Sequence, residues 1–217
     1  MRPTAASRLA ALVLLAAPLP AFAADEAGEL WLNPSFSRAL DDATAIEIET
    51  AQRLREEPRN DTYFVRLWYI REDPRGVKWS LGAEQRWNGS DEEEVRLLQQ
   101  AGYGWEPLDF RTRLEQRFVS TDPDTGWRLR QRVGSSWPLG EGDDAWSLSA
   151  DAEVFMTLQS TEPDGQTGLT GLRTFIGFER SFGAYDLSLG YLRQQDIREN
   201  RPDRVGHAPF IGLGVEF

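Results

Sequence analysis

The chain has 217 residues and no cysteine, and its 24 Lys and Arg against 35 Asp and Glu give a formal net charge of −11. The absence of cysteine excludes disulfides, thiol catalysis, thiolate metal sites and a lipidated N-terminal cysteine. The acidic balance argues against nucleic acid as a partner, because binding to phosphate backbones depends on clustered positive charge.

The N-terminal segment has the pattern of a secretion signal. Arg2 and Arg8 precede an apolar run, Leu9–Ala17, and Ala21-Phe22-Ala23 supplies the small-x-small site that a signal peptidase cleaves. The run is about half of the ~20 apolar residues that a membrane-spanning helix needs. We therefore predict that residues 1–23 are a cleaved signal peptide and that residues 24–217 form a single domain.

Beyond the signal, apolar residues recur with a period of two, which predicts β-strands with two different faces. In Val77–Trp87 the odd positions are mostly apolar and the even ones small or charged. Tyr63–Ile70 is less regular, because nearly all of its residues are apolar. The other predicted strands are Leu30–Phe36, Ile46–Thr50, Val95–Tyr103, Leu108–Phe118, Trp127–Trp137, Trp146–Met156, Leu172–Phe178, Tyr185–Tyr191 and Ile211–Phe217.

The breakers between the strands alternate between short turns and longer, more polar loops, as in bacterial outer-membrane barrels. Pro138–Asp144 is a long member of the short set. We predict an all-β fold, an up-and-down antiparallel transmembrane β-barrel of about 10–12 strands. Leu30–Phe36 makes an eleventh segment, whereas bacterial single-chain barrels have an even number. Either that segment leaves the wall, giving ten strands, or another segment is split, giving twelve.

The residues on the polar face of the strands distinguish a membrane barrel from a soluble one. It carries many charges, and if it faced solvent, large aromatic side chains would crowd the barrel interior. If it faces the lumen, the aromatic residues face lipid. Trp79 and Trp87 are eight residues apart on the apolar face, as are Phe110 and Phe118. At ~3.3 Å per residue and a tilt of about 40°, this spacing approaches the ~25 Å between two aromatic girdles. The sequence favours the membrane barrel.

The last predicted strand alternates apolar residues with glycine and ends on Phe217. A terminal aromatic residue on an alternating strand is typical of the signal by which outer-membrane barrels are inserted. We therefore expect Phe217 to be an insertion signal, with the insertion machinery as a partner and the outer membrane of a Gram-negative bacterium as the location.

Three stretches of the chain, Gly28–Phe36, Leu114–Phe118 and Leu192–His207, support a family resemblance. The chain resembles domain of unknown function 2490, a family of proteobacterial proteins expected to form outer-membrane β-barrels. The resemblance covers essentially the whole mature chain and implies the same fold and location. It brings no established activity and no catalytic residues.

The first functional hypothesis is a narrow pore or structural barrel with a charged lumen. Arginines on the neighbouring strands Leu108–Phe118 and Trp127–Trp137 would lie side by side, with acids on the next strand. Such a cluster attracts small anions if the lumen is open, or forms an ion-pair network that fills it. The candidate lumen residues are Arg96, Arg111, Arg113, Glu115, Arg117, Arg128, Arg130, Arg132, Asp151, Glu153 and Arg173.

Two alternatives belong to other classes. An outer-membrane lipid hydrolase or protease would use His207 at the outer rim as general base, near Asp196 and Asp203, but no serine is placed by a motif. A surface or assembly protein would act through acidic loops facing lipopolysaccharide, with Glu56, Glu57, Asp91–Glu94, Asp122 and Asp124. A single histidine cannot supply a multi-histidine zinc shell, and we expect no cofactor and no enzymatic activity.

Overall fold

The structure is a computed structural model that describes residues 24–56, 58–89, 92–142 and 144–217. The predicted signal peptide lies outside the described residues. The strands are β1 Ala24–Asp41, β2 Thr44–Arg55, β3 Thr62–Glu72, β4 Lys78–Asn88, β5 Glu92–Trp105, β6 Leu108–Val119, β7 Gly126–Pro138, β8 Ser147–Gln159, β9 Gly168–Phe182, β10 Tyr185–Asp196 and β11 Asp203–Glu216. Among these residues, no helix is long and apolar enough to cross a lipid bilayer.

The eleven strands close into one barrel in which neighbours in sequence are neighbours in space. Closure occurs between β1 and β11, which run parallel from the pair Ala24 and Asp203 to the pair Ser37 and Glu216. The all-β barrel is therefore confirmed. The even strand number was wrong, because it assumes that every pair is antiparallel. With one parallel pair, an odd number of strands can close into a barrel. Leu30–Phe36 is therefore part of the barrel wall, and none of the other predicted strands is split into two.

The two rims differ in the length of their connections. The short-turn rim carries the connections 42–43, 73–77, 106–107, 139–146 and 183–184. The long-loop rim carries those at 56–61, 89–91, 120–125, 160–167 and 197–202, together with the start of β1. The turn at 73–77 is built on Asp73, whose carboxylate accepts the backbone N–H groups of Val77 and Arg75. The hydrogen bond from the Val77 N–H is the main reason why the pKa of Asp73 lies below its usual value.

Side chains alternate between an apolar outer face and a charged lumen. On β4, Trp79 and Leu81 point outward with 55% and 61% of their surface exposed. Glu84 and Arg86 point inward and are 2% and 5% exposed. The same exposure of large apolar side chains recurs on β3, β5, β8, β9 and β11. On β4 the charged side chains therefore face the lumen and the large apolar ones face the exterior, as the alternation of its residues predicts.

Candidate functional site

The lumen between β2 and β9 is filled by interlocking carboxylates and guanidinium groups, which we call the charged sector. It exists because charged residues recur at inward-facing positions of neighbouring strands, so that their side chains meet across the strand pairs. Its carboxylates are Glu49, Glu84, Glu94, Glu115 and Glu153, and its arginines are Arg66, Arg86, Arg96, Arg111, Arg117, Arg128, Arg130 and Arg173.

Two carboxylates at the centre of the charged sector share one arginine. Arg130 donates through Nη1 to Glu115 Oε1 at 2.8 Å and through Nη2 to Glu153 Oε2 at 2.5 Å. Arg128 lies 2.5 Å from the second oxygen of Glu115, and Arg111 lies 2.5 Å from the second oxygen of Glu153. Both glutamate side chains are at most 2% exposed. Charge-assisted bonds of this kind satisfy charges that burial would otherwise penalise.

The network continues along β3, β4 and β5. Glu84 accepts from Arg66 and Arg86, with Arg86 Nη2 at 2.8 Å. Arg96 lies between Glu84 and Glu94, at 3.6 Å and 2.6 Å. Its Nη1 is also 3.7 Å from Glu115 Oε2, which joins this group to the central pair. The charged sector is thus one connected network.

The candidate lumen residues named in the sequence analysis all lie on the lumen side of the wall, but not all of them form ion pairs. Arg113 donates from Nε and Nη2 to Gln100 Oε1, at 2.8 Å and 2.7 Å, and has no carboxylate within 4 Å among the described residues. Arg132 binds Asp109 at 2.9 Å and reaches Asp151 at 4.0 Å, nearer the short-turn rim. Glu84 and Glu94, which are not among the candidate lumen residues, also take part in the network.

Large aromatic side chains inside the lumen were also missed. Trp31, Phe64, Trp68 and Phe155 are each at most 4% exposed. Guanidinium groups lie over their rings: Arg66 is 4.6 Å from the centroid of Phe64, and Arg130 is 4.6 Å from that of Phe155. Such contacts stabilise a cation in a site with little water. The one signal in the sequence was the nearly all-apolar Tyr63–Ile70, which indicates a strand with both faces apolar.

In the remaining part of the lumen, between β9 and β1, apolar side chains pack together, and we call this packed region the apolar sector. Trp31, Leu192 and Ala208 form a buried cluster against which Phe175 and Phe210 pack. The two phenylalanine rings meet edge to face with their centroids 5.3 Å apart. The lumen is therefore filled by two kinds of packing on its two sides.

A polar cavity of about 440 Å³, the vestibule, opens at the long-loop rim. Its wall includes Glu29, which pairs with Arg55 at 3.2 Å and Arg59 at 3.5 Å. Trp31 and Arg86 also line it. The vestibule thus ends on the side chains that fill the lumen.

His207 lies on β11 near the long-loop rim, as expected, but its partners differ from those predicted. Its Nδ1 is hydrogen-bonded with the hydroxyl of Tyr191, and its Nε2 lies 3.9 Å from a carboxylate oxygen of Glu26. Asp203 instead accepts from Gln195 and from the backbone of Arg198, and Asp196 accepts from Gln194. Asp196 and Asp203, which are close to His207 in sequence, are thus bonded to other groups in the structure.

The proposed acidic loop surface is smaller than expected. Glu94 belongs to the charged sector, where Arg96 and Arg117 bind it at 2.6 Å and 2.5 Å. Glu56 accepts the backbone N–H of Gly28, and Asp122 accepts the hydroxyl of Thr161. Glu57 and Asp91 lie outside the described residues. Within the described part of the chain, no three His, Asp or Glu side chains form a group suited to a metal ion.

Comparisons with known proteins give the chain a family but no role. The sequence profile of a family described as "Protein of unknown function (DUF2490)" matches residues 28–205. An uncharacterized protein of Methylorubrum extorquens is 31% identical over 108 residues, which cover 49% of this chain and 47% of that protein. The chain therefore matches about half the length of that relative. No solved structure matches the chain.

Proposed function

The chain belongs to the DUF2490 family of proteins of unknown function, and from that premise we propose that it is an integral outer-membrane β-barrel of a Gram-negative bacterium with a closed lumen. In this proposal the barrel is a structural, non-conducting element of the membrane. Its long loops face the exterior, its short turns face the periplasm, and it contacts phospholipid and lipopolysaccharide.

The outer face supports the membrane location. Leu67 is 53% exposed at the middle of β3, and Leu81 is 61% exposed on β4 between Trp79 and the middle of that strand. Tyr63, Tyr69, Trp79 and Trp87 are exposed at the ends of the same two strands. Contiguous apolar surface of this kind is costly in water and favourable in a bilayer, where aromatic side chains prefer both interfaces. A barrel also leaves no unpaired strand edge in the hydrocarbon region.

The observation that carries the closed lumen is the pairing of its buried acids. Glu84, Glu115 and Glu153 each contact three arginines within 4 Å. The side chains of these three acids are at most 2% exposed, so little open space is left beside them for a solute. An anion-conducting pore would instead present arginines to water. We therefore place the filled lumen ahead of the open pore.

For His207 we propose a hydrogen-bonding role at the membrane interface. Its ring stacks on Tyr191, with the centroids 6.1 Å apart, and the same tyrosine holds Nδ1. A general base needs a nucleophile within hydrogen-bond reach, and among the described residues no serine hydroxyl bonds to this ring. The insertion role of Phe217 stays a prediction.

The membrane proposal is tested by refolding residues 24–217 with and without detergent. We expect folded, monodisperse protein only with detergent or lipid, and an unheated sample that migrates differently from a heated one on a gel. Membrane extraction from cells provides a second test, because an integral barrel resists carbonate. Recovery of folded monomer in plain buffer would overturn the membrane location.

A further inference from the structure

A groove lies on the outer face of the barrel at the short-turn rim. Its volume is about 670 Å³, within the range of about 300–1,000 Å³ that is usual for pockets that hold small molecules. The connection between β7 and β8 forms one side of it, and outward-facing side chains of β9 and β10 form the other. A ligand in this groove would therefore lie against the exterior of the barrel and not in the lumen.

Part of the lining of the groove is apolar. Phe178 on β9 and Leu189 on β10 are cross-strand partners, and they are 49% and 39% exposed. Leu139, in the connection, is 57% exposed. Contact with hydrocarbon would remove this apolar surface from water, which is favourable in proportion to the area covered. This part of the groove suits the acyl chain of a lipid.

Charged side chains line the same groove. Arg180 follows Phe178 by two residues on the same face of β9, and its guanidinium group lies 5.8 Å from the ring centroid of Trp146. Its Nε has no hydrogen-bond partner among the described residues. Two acids of the connection, Glu141 and Asp144, are exposed and also line the groove. Neither of them forms an ion pair with Arg180, so the groove presents one cation and two anions to a ligand.

The position of Arg180 suits the headgroup level of a bilayer. On the outer face of β9 it lies between Phe178 and Phe182, and the ring of Phe182 stacks on that of Tyr185 across the turn, with the centroids 5.7 Å apart. Aromatic side chains of outer-membrane barrels mark the two membrane interfaces. In the proposed orientation this rim is periplasmic, so Arg180 is at the level of the phosphates of that leaflet.

We propose that the groove is a binding site for one phospholipid whose headgroup carries both a phosphate and a primary ammonium group. Arg180 donates paired N–H groups to the phosphate, Glu141 and Asp144 accept from the ammonium group, and an acyl chain packs along Phe178 and Leu189. The two acids disfavour a headgroup with a phosphate and no cation, because like charges repel. The inference rests on the proposed membrane location and adds a specific lipid to it.

The test measures lipid binding to residues 24–217 refolded in a non-ionic detergent. Phosphatidylethanolamine, phosphatidylglycerol and phosphatidylcholine with identical acyl chains are titrated separately into the micelles. Native mass spectrometry counts the lipids that stay bound to each barrel, and the thermal unfolding midpoint rises with a ligand that binds only the folded state. A barrel that folds only in detergent but binds no lipid would overturn the site alone, whereas folding in plain buffer would overturn the membrane location.

We expect one phosphatidylethanolamine molecule to bind saturably, and at least about tenfold more tightly than either of the other lipids, because each of them loses a charge-assisted hydrogen bond. Phosphatidylglycerol has no ammonium group, and the methylated ammonium group of phosphatidylcholine has no N–H to donate to the acids. Equal binding of the three lipids would overturn the recognition of the headgroup.

Two variants separate the contacts to the headgroup. Arg180→Gln should weaken the binding of phosphatidylethanolamine at least about tenfold, because it removes the charge-assisted bonds to the phosphate. Glu141→Gln combined with Asp144→Asn should remove the preference for phosphatidylethanolamine over phosphatidylglycerol. Arg38→Gln is the matched control, because Arg38 is exposed near the same rim on β1 and does not line the groove. Heated and unheated gel lanes show whether each variant is folded. Wild-type affinity in folded Arg180→Gln would overturn the proposal.

Discussion

The charged sector and the apolar sector fill the same narrow lumen by different means. In the charged sector, long arginine side chains extend to carboxylates on neighbouring strands. Arg130 on β7, for example, binds Glu115 on β6 and Glu153 on β8. In the apolar sector, Phe175 and Phe210 pack with Leu192 and Ala208. One side depends on complementary charge and the other on complementary shape, although both close the same space.

Glycine makes the aromatic packing possible at several points. A Cβ added to Gly82 would lie 2.5 Å from Cε3 of Trp68, its cross-strand neighbour. A Cβ on Gly190 would lie 2.5 Å from Cε2 of Phe175. Because glycine has no side chain, each ring can pack close to the backbone of the neighbouring strand, and this lets the rings fit inside a barrel of eleven strands. The contrast teaches that the charged sector should be most sensitive to the loss of a charge, and the aromatic packing to a change of volume.

The largest expected loss of unfolding free energy comes from neutralising a lumen acid that is ion-paired, compared with one that is not. Glu115→Gln leaves Arg128 with an uncompensated charge and Arg130 with Glu153 alone, and removing one partner of a buried pair costs about 3–5 kcal/mol. Glu47→Gln is the matched control, because Glu47 faces the same lumen but has no ion pair among the described residues. Urea unfolding in detergent measures both. Equal losses of unfolding free energy in the two variants would break the comparison.

The apolar sector should respond to lost volume. Leu192 is 4% exposed and contacts the Trp31 cluster, so Leu192→Ala should cost about 2–5 kcal/mol through transfer and cavity terms. Leu158→Ala, on the outer face at 55% exposure, is the control and should cost less in a micelle. The same urea titration applies. A larger loss for the outer residue would show that the apolar sector is loosely packed.

Added volume should produce a smaller effect beside a buried aromatic ring of the charged sector. Gly82→Ala forces Trp68 to move, and overpacking of this kind costs about 1–3 kcal/mol. Gly104→Ala has no heavy atom within 4 Å of the added Cβ and should leave stability nearly unchanged. Near-ultraviolet circular dichroism should change only for Gly82→Ala, since Trp68 loses its fixed position. An unchanged spectrum in both variants would mean that Trp68 is already mobile.

Much of the architecture could be predicted from the alternation of residues, and the exceptions have physical causes. The odd strand number was missed because alternation does not report whether two strands pair in parallel. Glu94 was assigned to a loop because it follows a run of acids, although β5 begins at Glu92 and turns Glu94 inward. The inward direction of Phe64 and Trp68 could not be predicted, because β3 has apolar residues on both faces and its sequence does not show which face is the lumen side.

The partners inside the lumen could not be predicted, because they depend on the register between strands. Arg96 reaches acids on β4, β5 and β6, and a shift of one residue in either pairing would turn these side chains to the outer face. The sequence alone therefore predicted which charges face inward, whereas the pairs they form required the structure.

Single-channel recording in planar bilayers tests the closed lumen most directly. We expect the refolded wild-type barrel to insert without stepwise conductance, because the connected network from Glu84 to Glu153 occupies the lumen. Replacing Arg96, Glu115 and Arg130 together by glycine should open a conducting path, which serves as the positive control for insertion. Stable, anion-selective steps from the wild-type protein would contradict the account.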